Sequence, residues 1–146
     1  MASLKAFLKK KKYTSIPLTL TATNHFEIKV SINGVEGLFI LDTGASNTCI
    51  GLDKIDFFKL NSEESEIKAA GAGATEMLTM LSTENKIEIG KWTKKKHKIV
   101  LFDLIHVNQA LISHQAMPVD GIIGADILKK GDAVIDYKKS RLYLRK

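Results

Sequence analysis

One acid in this chain sits where a carboxyl group can do chemistry. The apolar run Leu38-Phe39-Ile40-Leu41 leads directly into Asp42-Thr43-Gly44-Ala45-Ser46. Such a run reads as a buried strand, so the carboxyl is delivered to a strand end, on a loop tight enough to need glycine. Backbone amides can approach it there, and the Thr43 hydroxyl can fix the loop by a hydrogen bond. Taking a carboxylate out of water is costly unless it is hydrogen-bonded or shares a proton with a neighbour. One carboxyl held this way is a modest general base. Two of them about 3 Å apart cannot both ionise: the charged member draws a proton from water while the protonated member donates to a carbonyl oxygen, the push and pull that amide hydrolysis needs.

The second acid is not found in the same chain. Asp120-Gly121 lacks the intervening hydroxyl residue and Asp132-Ala133 lacks the glycine. A pair must therefore come from a second copy of Asp42 across a twofold axis, where equivalent residues meet automatically. Asp126 reads as a helix cap and Asp120 as a turn residue. His25, His97, His106 and His114 show no paired ligand spacing, so no metal is expected. The single Cys49 reads as a small buried residue, and one cysteine forms no internal disulfide, in keeping with a reducing compartment.

The elements that must position Asp42 are mostly strands. Residues 26–32 and 38–41 alternate as a hairpin around Asn33-Gly34, a pair that tolerates the positive φ angles of a tight turn. Leu52, Ile55, Phe57, Phe58 and Leu60 fall at helical spacing, with Asp53 as cap and an end near Asn61. Residues 67–75, small and glycine-containing, suit an exposed hairpin tip with residues 77–82 as its return. Strands are expected at 86–89 and 97–104 around a turn at Gly90-Lys91. Residues 105–117 show no clear pattern. A short helix follows at 125–129, stopping near Gly131, and a last hairpin joins 133–136 to 141–144. The class is all-β.

At 146 residues and 45% hydrophobic content, one domain with a real core is the expectation. It is placed at 25–146, behind a basic N-terminal segment, residues 1–24, mobile in part. The order of apolar and basic residues there is wrong for a signal peptide, and no apolar run is long enough to span a bilayer, so a cytoplasmic location is expected. The net charge of +6 comes from lysine clusters at 9–12, 94–98, 129–130 and 138–139. With few aromatics beside them, they read as solvated faces before surfaces for nucleic acid or membrane, with a preference of the 9–12 run for acidic partners or anionic membranes as the minor alternative.

Three elements in order resemble the retropepsin-like aspartic proteases, the single-lobe, homodimeric class of retroviral proteases and bacterial relatives. They are the apolar strand with Asp42-Thr43-Gly44-Ala45-Ser46, the Gly71-Ala72-Gly73 segment, and Ile122-Ile123-Gly124-Ala125-Asp126-Ile127-Leu128. The resemblance implies a closed acid-protease-like β-barrel lobe with one or two short helices and a flap hairpin. It implies an aspartic endopeptidase without metal or cofactor, active as a homodimer on peptide or protein substrates. Asp42 would be the dyad member, Thr43 would brace the loop against its symmetry mate, and Gly44 would present backbone to substrate. Ala45, Ala70, Gly71, Ala72 and Gly73 would line a peptide bound as an added strand, with 71–73 at the flap tip. Ile123 and Gly124 would cross behind the loop. Ser46 and Ala125 stand where retroviral enzymes commonly carry an acid and an arginine, so that supporting ion pair is missing. A non-catalytic peptide-binding or dimerisation module of the same fold is the alternative.

Overall fold

A computed structural model describes residues 3–64 and 79–146. The expected hairpin is formed by β3 (Phe26–Ile32) and β4 (Val35–Leu41), paired antiparallel from Phe26↔Leu41 to Ile32↔Val35. Its turn places both Asn33 and Gly34 at positive φ. Asn33 does more than turn: its Nδ2 donates to the Phe58 carbonyl at 2.9 Å and its Oδ1 accepts from Lys86 N at 3.0 Å. The side chain therefore ties the hairpin tip to the neighbouring strand.

Around this hairpin six strands close into a barrel. β4 pairs in parallel with β9 (Gly121–Ile123), and β9 runs antiparallel to β5 (Cys49–Gly51). β5 in turn lies parallel to β8 (Trp92–Phe102), which forms a long hairpin with β7 (Met80–Ile89). Pairing of Ser31 with Glu88 and Ile32 with Ile87 closes the ring from β7 back to β3. Alternation on β3 sends Phe26, Ile28, Val30 and Ile32 inward, where they meet Phe39, Ile50, Ile87, Ile99, Leu101 and Ile123. Two short strands extend the sheet: Thr19–Leu20, β2, beside β3, and Glu63–Glu64, β6, beside β7.

A separate three-stranded sheet joins the two ends of the chain. β1 (Tyr13–Pro17) pairs antiparallel with β11 (Arg141–Arg145), and β11 pairs on its other side with β10 (Val134–Asp136). Residues 13–17, which the sequence assigns to a segment ahead of the domain, are thus a strand of this sheet. Ahead of them α1 (Leu4–Lys10) is capped by the Ser3 side chain, which accepts from Ala6 N at 3.1 Å.

Elsewhere the chain departs from its local signals. The helix expected over 52–60 is a single 3-10 turn, Leu52–Lys54, because Gly51 offers no capping side chain and Lys59 turns the backbone to a φ of 55°. The apolar spacing there buries Phe58 and Leu60 without a continuous helix. Residues 105–113, for which no element is expected, form α2 (Ile105–Ser113). Leu111 is its one buried residue, so the apolar stripe that would announce it is absent. α3 (Ala125–Lys130) ends at Gly131, as expected. Among the described residues no helix is long and apolar enough to cross a membrane, and no three His, Cys, Asp or Glu side chains converge as metal ligands.

Candidate active site

β4 ends at Leu41, and the parallel ladder with β9 carries on for one more bond: Asp42 N donates to the Ile123 carbonyl at 2.9 Å. The chain then turns sharply. Ala45 N donates to the Asp42 carbonyl at 3.2 Å, and Gly44 N donates to Asp42 Oδ1 at 2.9 Å. A Cβ on Gly44 would lie 3.3 Å from that oxygen, a close approach that the glycine relieves. The carboxylate is thereby oriented by its own loop.

In the single chain Asp42 and Ala45 are half-buried, whereas Thr43 and Gly44 are exposed. The sequence places Asp42 at the end of a buried strand; the strand is buried, but its terminal carboxyl reaches the surface. No cation pairs with it among the described residues. Ala70, Gly71, Ala72 and Gly73 lie outside the described residues.

Behind the loop, α3 and β9 hold it from the far side. Ala125 N donates to the Ala45 carbonyl at 2.7 Å, and Gly124 is so close that a Cβ there would meet Ala45 O at 2.7 Å and Asn47 O at 2.8 Å. Thr48, fully buried, accepts from Gly124 N at 3.1 Å and donates to Asp126 Oδ1 at 2.7 Å. Asp126 Oδ2 lies 2.9 Å from His97 Nε2, and Lys130 Nζ lies 3.2 Å from His97 Nδ1. An ammonium only donates, so Nδ1 is the acceptor and the imidazole proton sits on Nε2, facing the carboxylate. Lys130, His97, Asp126 and Thr48 form one polar chain ending at the backbone behind the loop.

Asp126 is therefore not a cap. It stands in the first turn of α3, whose N-cap position, Gly124, has no side-chain bond, and it reaches back to Thr48, just ahead of β5, and to His97 on β8. Burial pushes its pKa up, but the hydrogen bonds from His97 and Thr48 outweigh that and leave it below the ordinary carboxylate value. Asp120 likewise exceeds a turn role. Its Oδ2 accepts from Leu38 N at 2.9 Å and its Oδ1 pairs with Lys54 at 3.5 Å, clamping the middle of β4. Cys49 is buried, and burial, then the nearby Asp126 and Asp42, raise its pKa to about 12. The thiol stays protonated and unreactive.

His97 and Thr48 are the residues that reading by motif misses. Position 97 is two residues before Ile99 and four before Leu101, so strand alternation turns it inward with them. That signal is present but drowned by the lysines around it.

A family profile described as aspartyl protease matches residues 28–127, a span that holds the Asp42 loop, β9 and the start of α3. The chain belongs to the aspartyl protease family. Solved structures similar to this family member include a retropepsin-like aspartic protease from Rickettsia conorii, 19% identical over 90% of this chain and 89% of the other, with a TM-score of 0.59. EIAV protease bound to an inhibitor is 20% identical over 75% of this chain and 90% of its own, at a TM-score of 0.56. The retroviral protease-like domain of Ddi1 from Leishmania major is 17% identical over 81% and 86%, at 0.51. At these identities the likeness is one of fold: the lobe is retropepsin-like. No curated protein matches the chain.

Proposed function

We propose that this aspartyl protease family member is an endopeptidase that works as a homodimer, its two Asp42 carboxyl groups sharing one proton. The observation that carries the reading is the state of Asp42. It is oriented by Gly44 N, has no cation partner among the described residues, and stands with Thr43 and Gly44 on the surface of a single chain. A twofold axis near this loop would bring the second carboxyl to the first and bury both. The charged Asp42 would take a proton from water as its oxygen attacks the peptide carbonyl carbon. The protonated Asp42 would donate to the carbonyl oxygen, giving a gem-diol. Return of a hydroxyl proton and protonation of the nitrogen then break the C–N bond. Ala45 and residues 70–73 would contact the substrate, bound as an added strand.

Asp42→Asn is expected to abolish cleavage while preserving the fold and the dimer. The measurement is hydrolysis of a diverse peptide library between about pH 4 and 7, the range of a shared-proton pair, with sedimentation of both proteins. Wild-type protein that is dimeric yet cuts nothing would sink the proposal.

A second reading rests on Ser46 and Ala125, uncharged where retroviral enzymes commonly carry a supporting ion pair. On it the dimer binds peptides without cutting them. Tight peptide binding without hydrolysis, unchanged by Asp42→Asn, would favour it.

A further inference from the structure

The N-terminal helix spends residues in a way that the protease reading leaves unused. Leu8 anchors α1 to the body at 6% exposure, but Leu4 and Phe7 stay 44% and 53% exposed. The helix and its end carry Lys5, Lys9, Lys10, Lys11 and Lys12, all exposed, and no Asp or Glu occurs before Glu27. Lys11 Nζ sits 5.8 Å from the Phe7 ring centroid. On the other flank of the helix, Lys5, Lys9 and Lys12 join Lys91 and Lys146 around an open cleft of about 630 Å³ that no carboxylate side chain lines. Asp132, the acid attached to this region through Tyr13, is occupied by Arg145 at 3.7 Å.

We infer that α1 and the lysine cleft beside it form a docking surface for an anionic lipid bilayer. Phe7 and Leu4 enter the interface between headgroups and acyl chains, and the lysines, with stems long enough to reach upward, pair with lipid phosphates and carboxylates. The binding is peripheral and reversible. A nucleic acid would use the lysines and could stack a base on Phe7, but it would give Leu4 nothing to do, and the aromatic groups of the cleft are poor stacking platforms. Tyr13 is bonded to the Asp132 carbonyl and Tyr143 is buried.

The test is co-sedimentation of the full chain with phosphatidylcholine vesicles and with vesicles holding about 30% phosphatidylserine, at roughly 0.1 M salt. Binding is expected to the phosphatidylserine vesicles alone. Each lysine near an anionic surface is worth roughly fivefold in partitioning, so Lys9→Glu with Lys10→Glu is expected to lower it by at least ~25-fold. Phe7→Ser is expected to lower it about fivefold or more. The pair Lys95→Glu and Lys98→Glu removes the same charge from exposed sites on β8 and is expected to cost less than about threefold. All four positions and Phe7 are exposed, so the folds should be retained, as circular dichroism would verify. No sedimentation of wild type with phosphatidylserine, equal loss in the β8 pair, or an unchanged Phe7→Ser would each overturn the proposal. The last two outcomes would leave a general polycation effect.

Discussion

At the scale of single residues, the polar chain behind the Asp42 loop is the feature most open to perturbation. His97 is 3% exposed and its partner Asp126 is 20% exposed, so removing the imidazole strands a carboxylate that keeps only the Thr48 hydroxyl and backbone bonds. His97→Ala is expected to cost about 2 kcal/mol of stability, read from urea unfolding. The pH dependence has a definite sign. Because the folded-state pKa of Asp126 lies below its ordinary value of 3.8, its contribution is complete above that value and is lost as pH falls through the lowered folded pKa. His97→Ala is expected to shrink this acid limb below about pH 4; an unchanged limb would show that His97 does not hold the carboxylate. The place of Asp42 at the end of β4 was legible in the sequence because an apolar strand and a glycine loop bracket it. His97 was not, because Lys94, Lys95, Lys96 and Lys98 give its strand the look of a solvated face.

Among elements, the decisive contact is the approach of the α3 N-terminus to the Asp42 loop. The aligned carbonyls of Ala45 and Asn47 leave no room for a Cβ at position 124, and both are backbone atoms that move only with the loop. Gly124→Ala is expected to destabilise the protein by roughly 2 kcal/mol and, on the proposed function, to lower peptide hydrolysis beyond what the loss of folded protein explains. Thermal melts with activity per folded molecule separate the two effects. The same element scale shows where sequence patterns suffice. Asn33-Gly34 marks its hairpin because the turn demands positive φ, and Gly131 stops α3. α2 escaped notice because a helix burying one residue has no period to read. The apolar residues at 52–60 mimic a helix while serving a packed patch around Phe58.

For the whole molecule, the retropepsin-like lobe was legible from motif order, although the barrel itself pairs β4 with β9 and β5 with β8, strands far apart in the chain. The terminal sheet was not. Tyr13 pairs with Arg145 across almost the full sequence, and no local signal couples positions so far apart. That pairing also bears on assembly. β11 has a neighbour from its own chain on either side, β1 and β10, so neither of its edges is left for a second copy. β11 is thus satisfied within its own chain, and in the proposed dimer a second copy could extend this sheet only at the outer edge of β1 or β10. On the proposed function, each half keeps this sheet within its own chain and need not unfold to separate. Below the dimer dissociation constant, activity per molecule is expected to fall in proportion to concentration and to recover on reconcentration, as a dilution series would record. Turnover that stayed constant to nanomolar protein would place the dimer dissociation constant below that range and remove dilution as a control. On the proposed function, the end-to-end sheet would turn protein abundance itself into a control: a dilute pool would be folded but idle, and local crowding of copies would switch it on.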